Sequence, residues 1–119
     1  MGDDNFASEG ARDYLSLLAA KLVATITEIY REKDRLALDE DGEAMFMPSV
    51  ELLALLCERY ALETPKPGTV KQWEERYLRV YDRSAEDCYP DDEFRKSRRK
   101  VIERTFHWLL SLSESYWDG

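Results

Sequence analysis

Six consecutive apolar side chains, from Leu52 to Cys57, follow Glu51 in the middle of the chain. On an α-helix six successive residues point to every side of the axis, and a helix that is apolar all round must be surrounded by protein. Pro48 suits the first turn of such a helix, because the N–H that proline lacks would have no intrahelical partner there. We therefore expect a central apolar helix that ends near Tyr60 and is enclosed by the rest of the chain.

Two long amphipathic helices are predicted at the two ends of the chain. Apolar residues recur in steps of three and four from about Ser8, a suitable N-cap, to Leu36, and this period is typical of an amphipathic helix. The last helix is expected to open at Pro90-Asp91-Asp92, with an Asp cap and with acids that suit the positive end of the helix dipole, and to reach about Tyr116.

A further helix is predicted between the central helix and the last one. Thr64-Pro65-Lys66-Pro67-Gly68 interrupts the helical pattern and is interpreted as an interhelical loop. Thr69 and Gln72 then match a capping box. The stripe that follows consists of Val70, Trp73, Tyr77, Val80 and Tyr81. Such aromatic residues indicate core positions with a polar tip more than a ligand cage.

The acidic stretch Leu38–Glu43 precedes the central helix. We interpret it as a solvated turn, with Gly42 marking the break. Asp39, Asp41 and Glu43 have the oxygen ligands that calcium prefers, but an EF-hand loop needs twelve residues, a glycine at its sixth position and a terminal Glu. The spacing fails that requirement, and we predict no metal site.

These patterns predict an all-α fold. The chain is expected to be a single-domain helical bundle of about four main helices around the central apolar helix. It would comprise residues 1–119, with a polar N-terminal segment at 1–7. The loop lengths favour a left-handed up-down bundle, with short helical pieces in the connections.

The charge balance excludes several classes of partner. The 119 residues include 17 Lys and Arg against 25 Asp and Glu, which gives a formal net charge of −8. Binding to nucleic acid or to an anionic membrane requires an excess of positive side chains, so we predict neither. An acidic protein suits a basic protein partner, because opposite charges accelerate association.

The location is predicted from the chain start and the cysteines. Met1-Gly2-Asp3-Asp4 lacks the basic start and apolar core of a signal peptide, and no apolar run approaches the roughly 20 residues of a membrane span. Cys57 and Cys88 have no metal-type spacing, and Cys57 is expected to be a small buried thiol. We expect a cytoplasmic protein without a cofactor.

Polar residues with possible chemistry are few. The basic run from Arg95 to Lys100 wraps around its helix and is expected to pair with nearby acids. These acids are Asp91, Asp92, Glu93 and Glu103. His107 is interpreted as a surface histidine. Asp13 is expected to be a partly buried acid paired with an arginine, for which the candidates are Arg76, Arg98 and Arg99. No catalytic residues are predicted.

Several short motifs occur in a characteristic order along nearly the whole chain. They are Phe6 with Ala11, Asp13, Tyr14 and Leu15; Met47-Pro48-Ser49-Val50-Glu51 with Leu53–Glu58; Pro65-Lys66-Pro67; Trp73, Arg76, Tyr77 and Leu78; and Arg98-Arg99, Val101–Glu103, Thr105-Phe106 and Tyr116-Trp117. This order resembles the bacterial domain-of-unknown-function family 4259. The family has no established activity, so the resemblance implies a small cytoplasmic bacterial protein and assigns no functional residue.

Two functional hypotheses remain open from the sequence. The first is a non-catalytic binding protein, in its most concrete form an immunity or antitoxin-like partner of a basic protein. The second is a small-molecule-binding protein or small enzyme with an interhelical aromatic pocket. Its ligand-binding residues would be Asp13, Tyr14, Trp73, Arg76, Tyr77 and Trp108.

Overall fold

A computed structural model describes residues 4–32 and 34–118 and confirms the predicted all-α, single-domain helical fold. Its elements, in chain order, are α1 (Glu9–Arg31), a π segment (Leu38–Phe46), α2 (Met47–Tyr60), α3 (Pro67–Cys88) and α4 (Asp92–Asp118). The π segment is kinked at Glu40, where the backbone is not helical (φ −110°, ψ −121°). The described part of the chain has no β-strand. The expectations for the acidic chain start fall on residues 1–3 and lie outside the described residues.

The helices do not follow the up-down order. α2 packs between α1 and α4, whereas α3 packs on α4 and on the π segment Leu38–Phe46. The guanidinium of Arg12 donates a hydrogen bond of 2.8 Å to the carbonyl of Tyr60, so the start of α1 lies beside the end of α2 and the two run antiparallel. In an up-down bundle α2 would pack on α3, its successor, as well as on α1, but here it packs on α4 in place of α3, so that expectation is wrong.

The central helix α2 is not enclosed on every side. Its inner row is buried, with Val50 and Leu53 fully covered. Its outer row contains Leu52, exposed by 50%, and Leu55, exposed by 45%. The prediction of complete enclosure is therefore wrong, because α1 and α4 flank α2 and leave its outer side in contact with solvent.

Helix α1 begins as predicted and ends earlier. The Ser8 side chain accepts a hydrogen bond from the Ala11 N–H, which confirms Ser8 as the N-cap. Helical backbone stops at Arg31, since Glu32 has extended angles (φ −94°, ψ 100°). Residues 34–36 form a turn, which buries Leu36 without continuing the helix.

The π segment begins in a close backbone contact. The Gly42 N–H donates to the Ala37 carbonyl at 3.0 Å. A Cβ atom at Gly42 would lie 2.3 Å from the carbonyl oxygen of Leu36. The predicted break at Gly42 is therefore a position where no side chain fits.

An aromatic cluster joins three elements at the centre of the core. Phe46 of the π segment lies with its ring centroid 5.3 Å from that of Tyr77 in α3 and 6.4 Å from that of Phe106 in α4. All three side chains are fully buried, and each contributes about 1.5–3 kcal/mol through removal of apolar surface from water.

The N-cap prediction is wrong for α3 and confirmed for α4. Helix α3 begins at Pro67, with Lys66 at the N-cap, so the predicted capping box at Thr69 is wrong. Proline in the first turn starts the helix without losing a hydrogen bond. The Asp91 carboxylate accepts from the Glu93 N–H at 3.0 Å, which confirms an Asp cap for α4.

Candidate functional site

A polar cluster around Glu43 connects the π segment to α3 and α4. Arg98 donates two hydrogen bonds to the Glu43 carboxylate, from Nε to Oε1 at 2.7 Å and from Nη2 to Oε2 at 2.8 Å. The hydroxyl of Tyr77 also donates to Oε2, and that of Tyr89 donates to Oε1 at 3.1 Å. The Glu43 side chain is only 14% exposed, so the prediction that it lies in a solvated turn is wrong.

The electrostatics of this cluster indicate a structural role. Burial alone would raise the pKa of Glu43, but the hydrogen bonds from Arg98 and Tyr77 outweigh it, and the pKa lies below its usual value. Burial and the neighbouring carboxylate raise the pKa of Tyr89 to about 12. An ionised, fully paired acid and a phenol that stays protonated do not exchange protons near neutral pH. The cluster therefore fixes the π segment against the helices.

The arginines expected to pair with Asp13 bind elsewhere. Arg98 binds Glu43, and Arg99 forms a two-point contact with Asp82 at 2.8 Å for each bond. Arg76 donates to the Tyr30 carbonyl at 2.7 Å and its guanidinium stacks 4.4 Å from the Tyr30 ring centroid. The Asp13 side chain is exposed on α1, so its predicted buried ion pair is wrong.

The structure distributes the predicted aromatic ligand-binding residues over different environments. Tyr14 is 57% exposed on α1, whereas Trp73 and Tyr77 are buried core residues of α3. Trp108 of α4 donates its indole N–H to the Glu58 carboxylate of α2 at 2.9 Å. With Arg76 bound to Tyr30 and Asp13 on the surface, the six residues do not face one another, and their role in ligand binding stays a prediction.

The basic run of α4 forms both local and long-range ion pairs. Arg95 and Lys96 pair with Asp92, and Arg99 pairs with Glu103, as predicted. His107 is exposed, as expected, with its Nε2 3.7 Å from the Glu74 carboxylate. Burial raises the pKa of Glu74 despite the nearby His107.

A long open groove runs between α1 and the segment that follows α2. One part, of about 410 Å³, is lined by Ser16, Ala19, Ala20, Val23, Leu62, Glu63, Thr64 and Pro65. The other, of about 630 Å³, is lined by Ala7, Glu9, Arg12, Asp13, Ser16, Ala61, Leu62, Glu63 and Tyr116. The two parts share Ser16, Leu62 and Glu63, so they form one continuous surface, which we call the α1 groove.

The second wall of the α1 groove is held in place by the end of α4. The Ser113 hydroxyl donates to the Pro65 carbonyl at 2.6 Å, and the Trp117 indole N–H donates to the Thr64 carbonyl at 2.9 Å. The buried Thr64 hydroxyl has no hydrogen-bond partner among the described residues. Buried polar atoms without a partner are uncommon in proteins, and this one lies in a residue that lines the groove.

The α1 groove combines an apolar floor with an acidic rim. Ala20, Val23 and Pro65 supply apolar surface, and Tyr116, 47% exposed, adds an aromatic ring at one end. Its lining residues include three acids, Glu9, Asp13 and Glu63, against the single base Arg12. Of the residues that line the groove, only Asp13 is among those predicted from the sequence to bind a ligand. The groove depends on how the 61–65 segment folds back beside α1, and no local pattern in the sequence reports that.

The thiol of Cys57 is a further reactive group. Cys57 is buried and its thiol lies 3.7 Å from the Glu63 carbonyl, which confirms the predicted buried thiol. Burial raises its pKa to about 11.

Within residues 4–32 and 34–118, His, Cys, Asp and Glu side chains form no group able to hold a metal ion. None of the described helices is long and apolar enough to cross a membrane.

No protein-family model, curated protein or solved structure matches this chain. The resemblance to the bacterial family 4259 therefore depends on the motif order given above and stays a prediction.

Proposed function

We propose that this protein is a non-catalytic binding domain that captures a basic segment of a protein partner in the α1 groove. In its most concrete form it is an immunity or antitoxin-like partner of a basic protein. A bacterial, cytoplasmic setting is part of the proposal, supported by the family resemblance and by two free thiols.

The observation that carries the proposal is the composition of the α1 groove. An apolar floor that includes Ala20, Val23 and Pro65 offers surface to aliphatic side chains, and the rim acids can pair with Lys or Arg at the edge of the same contact. Interfaces commonly have this arrangement of an apolar centre and a polar rim. The net charge of −8 adds long-range attraction for a basic partner.

The state of the polar groups supports a non-catalytic role. Glu43 is ionised and bound by Arg98, and Cys57 is buried with a raised pKa, so neither is prepared to act as a base or a nucleophile. His107 is exposed beside Glu74, without a nucleophile in the same contact.

The test is affinity capture from cells that naturally produce the protein, comparing the wild type with a groove variant. Asp13→Lys with Glu63→Lys reverses two rim charges on exposed side chains. We expect the wild type to retain a basic protein in stoichiometric amount and the variant to lose it. Binding should weaken as salt is added, since surface charges are screened.

The matched control is Glu75→Lys with Asp87→Lys. These exposed side chains lie on α3 and change the net charge by the same amount. The control should retain the partner if the groove is the binding site. The proposal is overturned if no stoichiometric partner appears with the wild type, or if the groove variant and the control retain it equally.

A further inference from the structure

A second apolar surface lies on the outer side of the α1–α2 pair. Tyr14 and Leu17 of α1 are exposed by 57% and 51%, and Leu52 and Leu55 of α2 by 50% and 45%. Four large apolar side chains on two neighbouring helices are more than the scattered exposure that every surface shows. We call these four residues the α1–α2 face.

The four residues point to the same side of the helix pair. The 61–65 segment lies beside Val23 of α1 and beside Cys57 of α2, whose Sγ contacts the Glu63 carbonyl. At 100° per residue, Tyr14 is opposite Val23, nine positions away, and Leu55 is about 160° from Cys57. Tyr14 and Leu55 are therefore both directed away from that segment, and the α1–α2 face lies on the side opposite the α1 groove.

The residues of the two helices are also in register. Arg12 of α1 contacts Tyr60 of α2, and the helices run antiparallel. Leu17 is five residues after Arg12, and Leu55 is five residues before Tyr60. Both lie about 7.5 Å along the pair from that contact, given a rise of 1.5 Å per residue. Leu17 and Leu55 are therefore at about the same level.

One pair of opposite charges beside this face has the same symmetry. Lys21 is nine residues after Arg12, and Glu51 is nine residues before Tyr60, so these two also share a level. Rotation about a two-fold axis parallel to the helices leaves each residue at the same position along that axis. It also places α1 against α2 of a second copy. Lys21 then meets Glu51 of the second copy, and Leu17 meets Leu55 of the second copy. Such self-complementarity is what a two-fold interface requires.

We propose that the α1–α2 face is the interface of a two-fold homodimer. The predicted contact of Lys21 with Glu51 of the second copy distinguishes this face from the acidic α1 groove and favours a second copy over a basic partner. The net charge of −8 opposes self-association, but that repulsion is screened beyond about 8 Å at physiological salt. The two surfaces are on opposite sides, so dimerisation leaves the groove open.

The experiment is sedimentation equilibrium of the full chain at physiological salt, at concentrations up to about 1 mM. We expect a monomer–dimer equilibrium for the wild type. Leu52→Glu and Leu55→Glu, at exposed positions that do not contribute to the core, should each weaken the dimer at least about tenfold. Phe94→Glu, at a side chain 49% exposed on α4, is the control and should leave the equilibrium unchanged.

A charge exchange tests the two-fold register itself. Lys21→Glu and Glu51→Lys should each weaken the dimer by about tenfold, since each creates two like-charge contacts. The double variant should return the dissociation constant to within about threefold of the wild type. A wild type that is monomeric throughout, or a dimer insensitive to Leu52→Glu and Leu55→Glu, overturns the interface. Failure of the double variant to recover overturns the register. None of these outcomes depends on the partner of the α1 groove.

Discussion

Arg98 of α4 donates hydrogen bonds of 2.7 and 2.8 Å to the two carboxylate oxygens of Glu43, which lies 55 positions earlier in the chain. The contact attaches the π segment to the last helix, and the hydroxyls of Tyr77 and Tyr89 donate two further hydrogen bonds to the carboxylate. Because the Arg98 and Glu43 side chains are 24% and 14% exposed, water screens this ion pair less than the pairs on the surface.

Glu43→Gln should destabilise the protein by roughly 2 to 3 kcal/mol. Removing one member of a buried ion pair leaves the other charge uncompensated, which costs about 3–5 kcal/mol when burial is complete, and the partial exposure here lowers that value. Urea unfolding followed by circular dichroism measures the change. The control is Asp82→Asn, whose carboxylate binds Arg99 with the same two-point geometry, with side chains 53% and 36% exposed.

We expect Asp82→Asn to lower the free energy of unfolding by at most about 1 kcal/mol, because exposed pairs are screened by solvent. Equal losses for the two variants would show that burial of the Glu43 cluster does not strengthen it. The comparison isolates burial, since the geometry of the two Arg–carboxylate contacts is alike.

The stability of the wild type should depend on Glu43 at acid pH. Its pKa in the folded state lies below the ordinary value of 4.5. A depressed carboxyl pKa gives stability that is fully present above the unfolded pKa and is lost as pH falls through the folded pKa. Between about pH 5 and pH 2 the free energy of unfolding should therefore fall more steeply for the wild type than for Glu43→Gln. Urea titrations at a series of pH values test this, and parallel curves would contradict it.

The helices could be predicted from the sequence, but the connections between them could not. The aromatic stripe of α3 predicts Trp73 and Tyr77 as core, and both are buried. The acidic neighbours of Glu43 in the sequence predict that its side chain is exposed to solvent. In the structure its environment is decided by Arg98 and by two tyrosines at least 34 positions away. A period of 3.6 residues reports one face of one helix and contains no information on distant partners.

The exposure of the central helix and the lining of the α1 groove also could not be predicted from local sequence patterns. The run from Leu52 to Cys57 has no polar residue to mark its outer side, so its pattern could not reveal that Leu52 and Leu55 are exposed. Asp13, predicted from the sequence as a ligand-binding residue, does line the groove. Its neighbour there, Glu63, belongs to a loop whose path is fixed by α4 through Ser113 and Trp117.

The two thiols should react at different rates in the folded protein. Cys57 is 3% exposed and its pKa is raised to about 11, so at pH 8 about one molecule in a thousand would carry the reactive thiolate. Cys88 is partly exposed near the end of α3. With a chromogenic disulfide reagent we expect one fast and one slow thiol, and Cys88→Ser should remove the fast one. A fast reaction that survives in Cys88→Ser would contradict the burial of Cys57.

Gly42→Ala should be among the most destabilising single changes in the chain. The added Cβ would lie 2.3 Å from the Leu36 carbonyl oxygen and 2.8 Å from that of Ala37, and backbone atoms cannot move aside as a flexible side chain can. We expect a loss of about 3 kcal/mol or more, since the π segment must shift and the Glu43–Arg98 contact shifts with it. Gly10→Ala is the control, because a Cβ there meets nothing within 4 Å inside α1. It should raise stability by up to about 0.5 kcal/mol through the better helix propensity of alanine. Thermal and urea unfolding measure both, and a tolerated Gly42→Ala would mean that the turn before the π segment is looser than this close contact requires.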